Sequence, residues 1–242
     1  MKKSIIIVLL IIGIYLLIAI FGLDLLDSIT NKYIYIDNVG FKYSNGKWSN
    51  IKIDNDILKK YELYLPNSFE YVGKYDIRYN NKWYYNFKKT FETYDDFMFA
   101  LKGKNIKVYK YDINYEITDY KIKDILSQNN LNYNALNMEK EIHIDLDNNG
   151  QIDVIYALSN VYSEEIEDIL FSAIVLKLNG EYNIVKVIKN NDEVLLNVFA
   201  IFDINNDKKL ELIISEEGYS LNGNTYSIYG LKNNQYNELV KS

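Results

Sequence analysis

The chain states one pattern twice. Residues 142–158 read I-H-I-D-L-D-N-N-G-Q-I-D-V-I-Y-A-L, and residues 200–216, 58 positions on, read A-I-F-D-I-N-N-D-K-K-L-E-L-I-I-S-E. The tails answer each other too: Leu178-Asn179-Gly180-Glu181-Tyr182-Asn183 is echoed by Lys232-Asn233-Asn234-Gln235-Tyr236-Asn237. Self-similarity of this kind marks one supersecondary unit used twice. Within each copy an apolar run enters an acidic, turn-rich loop and a second apolar run leaves it. Val154-Ile155-Tyr156 and Leu212-Ile213-Ile214 therefore predict β-strands buried on both faces or packed between sheets. Residues 141–242 are expected to form two β units, 141–198 and 199–242, and no third copy precedes them.

Residues 28–140 have a different texture, of short strand-like pieces punctuated by Asn and Gly. Tyr33 to Ile36 and Gly40 to Tyr43 read as strands, and Asn45-Gly46 turns the chain into the next strand at Lys47-Trp48. Asn-Gly is the strongest short hairpin signal because a type I′ turn needs positive φ at both central residues. Asn80-Asn81 leading into Lys82-Trp83 repeats the pattern. Residues 97–101 and 106–117, divided by Gly103, read as a hairpin with a long second arm. Two short helices are expected. One covers Tyr120 to Gln128, with Thr118 or Asp119 as its cap and Ile122, Ile125 and Leu126 on one face. The other covers Asp56 to Tyr61.

Ahead of this lies an apolar run, residues 5–21, preceded by Lys2 and Lys3 and followed by Asp24 and Asp27. As a helix it would span about 25 Å, close to a bilayer core. The positive-inside rule keeps the short tail cytoplasmic and exports the rest. A cleaved signal peptide is the rival reading, but Ala19-Ile20-Phe21-Gly22 is a poor small-x-small site. The expectation is therefore a mainly β protein with a cytoplasmic tail and single transmembrane helix over 1–27. A hairpin-rich β domain (28–140) and the two repeats follow, giving a single-pass membrane protein with its C-terminal part extracytoplasmic.

Composition removes several functions. With no cysteine, disulfides, thiol nucleophiles and cysteine-ligated zinc are out. The single histidine, His143, leaves little room for zinc enzymes or His-dependent triads. A net charge of -6 lacks the basic footprint that phosphate backbones attract, so nucleic acid is not an expected partner. The 24 tyrosines and single proline fit an AT-rich coding bias, so tyrosine abundance alone argues no function.

The acidic loops carry chemistry. The first places Asp145, Asp147, Asn149 and Asp153 at positions 1, 3, 5 and 9, with Gly150 at position 6 and the Gln151 carbonyl at position 7. Alternate oxygens turned inward around a glycine bend suit a hard cation of Ca²⁺ size. A bidentate Glu at position 12, as in an EF-hand, is missing; Tyr156 stands there, on a strand-like flank. The second loop offers Asp203, Asn205, Asp207 and Glu211, with the Lys209 carbonyl at position 7 and Lys208 in place of the glycine. The competing reading is an ordinary turn, since Asp and Asn bond their own backbone and tolerate left-handed φ. The pattern resembles the FG-GAP and VCBS type of repeat, in which a D-x-D-x-D-G-x-x-D loop runs directly into a strand. The resemblance covers roughly residues 141–242 and implies propeller-blade-like β repeats with calcium loops on exported adhesion or carbohydrate-related proteins. Two copies cannot by themselves close a propeller of four or more blades.

Other candidates are weaker. His143 reads as a strand residue satisfied locally. Ser44-Asn45-Gly46-Lys47 matches S-x-x-K but lies in a hairpin turn rather than at a helix start, and Gly218-Tyr219-Ser220-Leu221-Asn222 lacks the second glycine of a nucleophile elbow. The acidic run from Ser163 to Asp168 reads as a capped helical turn or a solvated loop. Tyr109, Tyr111 and Tyr115 alternate with polar residues as half-buried strands do, rather than forming a sugar platform. No catalytic constellation emerges. The expected function is a membrane-anchored, non-catalytic surface or envelope module with structural calcium, binding another surface protein or a glycan. The alternative is an accessory or catalytic domain acting on cell-surface carbohydrate.

Overall fold

The computed structural model describes residues 30–53, 58–65, 70–80, 83–87, 90–93, 99–133, 136, 138–160, 171–189, 194–218 and 224–242. The apolar run 5–21, the acidic run 163–168 and most of 218–222 lie outside them. No helix among the described residues is long and apolar enough to cross a membrane.

The described chain is mainly β, in three antiparallel sheets. The N-terminal sheet contains β1 (Asn31–Ile36), β2 (Val39–Ser44), β3 (Lys47–Ile51), β4 (Leu58–Tyr64), β5 (Tyr71–Tyr79), β6 (Trp83–Phe87), β7 (Thr90–Thr93) and β8 (Phe99–Lys102). Their order is β3-β2-β1-β8-β4-β5-β6-β7, so β8 returns between β1 and β4. The Asn45-Gly46 turn forms as expected, with φ of 51° and 76°, which places Ser44 and Lys47 opposite each other in a hairpin.

Residues 138–242 then run twice through the same four-strand meander. The first is β11 (Met138–Ile144), β12 (Asp153–Ser159), β13 (Phe171–Leu178) and β14 (Glu181–Lys189); the second is β15 (Val194–Asp203), β16 (Glu211–Gly218), β17 (Thr225–Lys232) and β18 (Gln235–Lys241). The correspondence extends to irregularities. The β13–β14 ladder shifts register between Ile174 and Val175, and β17–β18 shifts at the matching place, between Ile228 and Tyr229. Both third turns are two-residue turns with paired positive φ, Asn179-Gly180 and Asn233-Asn234.

The expected long hairpin arm over 106–117 is corrected. It breaks into β9 (Lys107–Val108), which pairs with β15, and β10 (Asp112–Asn114), which pairs with β11. Each meander has an outer edge on its first strand, and this segment covers both edges in turn. Tyr109 and Tyr111 pack against the core between the two meanders, whereas Tyr115 is exposed. The sheets built on the repeats thus each gain a fifth strand from before residue 141.

Three apolar layers fix the stack. Ile34, Ile36, Phe41, Phe99 and Leu101 of the N-terminal sheet meet Ala200, Phe202, Ile213 and Ile228 of the sheet around β15–β18, here the middle sheet. The opposite face of the middle sheet, through Leu212 and Ile214, meets Ile155, Ala157, Ile174 and Leu176 of the outer sheet, β10–β14. The helix α1 (Lys121–Gln128) lays Ile122 and Leu126 on the far face of the outer sheet, against Val154, Tyr156 and Leu158. Strands β12 and β16 are therefore buried on both faces, as their unbroken apolar runs require. No propeller is detected among the described residues: the sheets form a layered stack, closed on the outer side by α1.

Two helix expectations resolve differently. The helix at 120–128 forms, but its N-cap is Tyr120 without a side-chain cap bond; Asp119 Oδ1 instead accepts the Lys121 amide at 3.2 Å. The helix at 56–61 is contradicted from Leu58 onward, because β4 pairs with β5 and β8 there. Alternate burial of Tyr61 and Leu63 against the N-terminal sheet outweighs the weak local helical spacing.

Candidate metal centre

Each acidic loop joins the first and second strands of its meander. In the first, Asp145, Asp147 and Asp153 offer carboxylate oxygens that all lie within 4.8 Å of one another, the single such group of three acidic side chains among the described residues. The backbone that gathers them has positive φ at Asn148 (58°) and Gly150 (87°). Asp145 accepts the Asn149 amide at 3.2 Å and the Gly150 amide at 2.9 Å, and Asp147 also accepts from Asn149 at 3.2 Å. Asn149 Oδ1 accepts the Gln151 amide at 2.7 Å, so the fifth-position oxygen is engaged within the loop.

Asp153 is the fixed member. It is buried, and its two oxygens accept the amides of Leu146 at 3.0 Å and Asn179 at 3.1 Å. Burial raises its pKa; those two hydrogen bonds work against the rise, and the charges of Asp147 and Asp145 add to it. Like charges gathered this way are relieved by a divalent cation, and all the donors are hard oxygens, so the residues fit Ca²⁺. A carboxylate has about four acceptor directions, so amide bonds within the loop do not preclude a metal on the same groups.

Asn179 completes the centre and is invisible to the loop pattern. Its side chain donates to Asp147 Oδ2 at 3.0 Å and bonds Asn149. It comes from the tip of the β13–β14 hairpin, where the Asn-Gly signal explains its backbone but not its contact. His143 pairs locally with the buried Glu141 at 3.2 Å, which also accepts from Thr118.

The second loop copies the backbone but not the cluster. Positive φ recurs at the equivalent Asn206 (63°) and Lys208 (70°), and Asp203 accepts the amides of Asn206 at 2.6 Å and Lys208 at 3.1 Å. Glu211 Oε2 accepts the Ile204 amide at 2.9 Å, the counterpart of the Asp153–Leu146 bond. Its carboxyl is pushed up to about 8, first by burial and then, against the Ile204 bond, by Asp207 and Asp203. Asp207 is exposed and turned to local bonds with Asn205 Nδ2 at 3.0 Å and the Lys209 amide at 2.8 Å. Asp203, Asp207 and Glu211 do not form a gathered acidic group of the kind seen in the first loop. The two loops also touch: the Leu210 amide donates to the Leu146 carbonyl at 2.9 Å.

No family model, no curated protein and no solved structure matches this chain.

Proposed function

We propose that this chain is a membrane-anchored, exported, non-catalytic surface or envelope module whose first acidic loop holds a structural Ca²⁺ ion. The observation that carries the reading is the convergence of Asp145, Asp147 and Asp153 in a loop rooted at a buried carboxylate. Exposed members of the loop give an ion free entry, while Asp153 and Asn179 tie the site to β12 and to the β13–β14 hairpin. An ion there would brace a hairpin against a loop rather than face a substrate cleft, which is a structural role. The anchor is assigned to residues 5–21 from their unbroken apolar character between lysines and aspartates. The FG-GAP and VCBS resemblance of the repeats fits an exported, calcium-rich setting, and a surface protein or glycan is the proposed partner class.

Fractionation with external protease tests this directly. The intact chain is expected in the membrane pellet, cut only beyond about Asp27, and cut faster in chelator than in calcium. A shortened, soluble form in the medium would overturn the anchor, and equal cutting with and without calcium would overturn the metal.

A further inference from the structure

The first strands of the two meanders meet through a lysine and an asparagine. Lys140, on β11, donates from Nζ to Oδ1 of Asn197, on β15, at 3.1 Å. Lys177 and Lys186, half-buried like Lys140, bond the carboxylates of Asp119 and Glu216; the partner of Lys140 is a neutral carboxamide. Burial lowers the pKa of Lys140, and the charge of Glu217 works against that fall. More of this amine is therefore neutral, and so nucleophilic, than of a lysine in water.

Register and hydrogen bonds bring a carboxylate to the same spot. Asn197 and Ser215 stand directly opposite each other on β15 and β16, and Glu217 is the next residue of β16 on that face. Ser215 is fully buried, donates its hydroxyl to Glu217 Oε1 at 2.6 Å and lies 3.5 Å from the Asn197 carbonyl oxygen. Tyr111 donates its hydroxyl to the Val198 carbonyl at 3.0 Å and covers β15 beside the contact. An amine, a carboxamide and a carboxylate from three strands thus converge in a half-buried place. Those are the groups that aminolysis of an amide needs.

We propose that Lys140 and Asn197 join in an isopeptide bond, with Glu217 as the proton carrier. Nζ of the neutral amine bonds Cγ of Asn197, and the Cγ–Nδ2 bond breaks. Glu217 takes a proton from Nζ and returns one to Nδ2, which leaves as ammonia, so no oxidant or co-reactant is consumed. The bond ties the two repeats at their first strands and closes residues 140–197, with β12, β13 and β14 inside, into a loop. A chain without cysteine has no disulfide to supply such a constraint. Neither the calcium site nor the membrane anchor is needed for this step.

Intact-mass measurement on the full chain in detergent, followed by digestion, tests the bond. The wild type is expected one ammonia lighter than its sequence mass, with one branched peptide joining residues 140 and 197. Lys140→Arg, Asn197→Ala and Glu217→Gln are each expected to keep the ammonia. A wild type without the branched peptide would overturn the proposal, and that result needs no variant to fold. An ammonia loss that persists in Asn197→Ala would also overturn it, because Asn-Gly steps such as Asn149-Gly150 lose ammonia by closing onto their own backbone. A branched peptide formed equally well in Glu217→Gln would overturn the part given to the carboxylate.

Discussion

The two acidic loops share a backbone and differ in what surrounds them. In both, positions 4 and 6 adopt positive φ, the first carboxylate caps the loop amides, and the ninth holds the second-position amide. The first lies on the outer sheet, with Ile152 at position 8 exposed to 65%. The second lies on the middle sheet, and its position 8, Leu210, is 2% exposed in the core between the repeats. Both loops expose positions 4 to 7, and they differ at their roots, where Asp145 is half-buried and Asp203 is buried. Place in the stack, together with the change from Gly150 to Lys208 at position 6, sets the two loops apart.

The comparison is broken most severely in the strands that carry the loops. Ile155 and Ile213 occupy equivalent places in β12 and β16 and are both fully buried. Ile155→Ala and Ile213→Ala should each cost about 2–5 kcal/mol in urea unfolding, with similar values. A cost confined to one of them would show that the two meanders are not equivalent scaffolds.

The sixth position gives a smaller, signed contrast. Gly150 has open space where a Cβ would stand, so its φ of 87° alone opposes substitution. Gly150→Ala should destabilise by about 1 kcal/mol, and Lys208→Gly, relieving the same conformation, should stabilise by about as much. Parallel signs in the two variants would contradict the shared backbone.

Acid should weaken the first repeat's flank. Burial alone would raise the Asp119 carboxyl, but hydrogen bonds from Lys177 and Tyr182 and from the Lys121 amide hold it down at about 2. A folded-state pKa below the unfolded value contributes stability above about pH 4, lost as pH falls toward about 2. Asp119→Asn should therefore lower stability at neutral pH and flatten the acid limb of the stability profile between those values. An unchanged limb would mean that Asp119 is not what ties α1 to β13 and β14.

Much of this architecture was legible where the signal is local. The strands through Val154-Ile155-Tyr156 and Leu212-Ile213-Ile214, the Asn45-Gly46 hairpin and the helix carrying Ile122 and Leu126 follow from spacing within a few residues, and the repeat from self-similarity 58 positions apart. The bond from Lys32 to the Ile204 carbonyl of the second loop was not legible, because nothing near the lysine in sequence marks a partner 172 positions away. Asn179 was visible only as part of the repeated tail, since its side-chain contacts depend on how the hairpin folds over the loop. The split of residues 106–117 between two sheets, and the strand in place of a helix from Leu58, were set by edges that need pairing. Local pattern names the elements, while the side chains that touch a loop from outside come from whatever packs beside it.

The gentlest effect bears most directly on the first loop. Melting curves of the full chain in about 1 mM calcium and in chelator should differ. A site of about 10⁻⁴–10⁻³ M affinity adds roughly 0.4–1.4 kcal/mol to the folded state. For a chain of this size that is a rise of about 1–5 °C in Tm. Asp147→Ala should abolish the rise and Asp207→Ala should leave it intact. Identical curves in calcium and chelator for the wild type, or a rise abolished by Asp207→Ala and kept by Asp147→Ala, would contradict the assignment of the metal to the first loop.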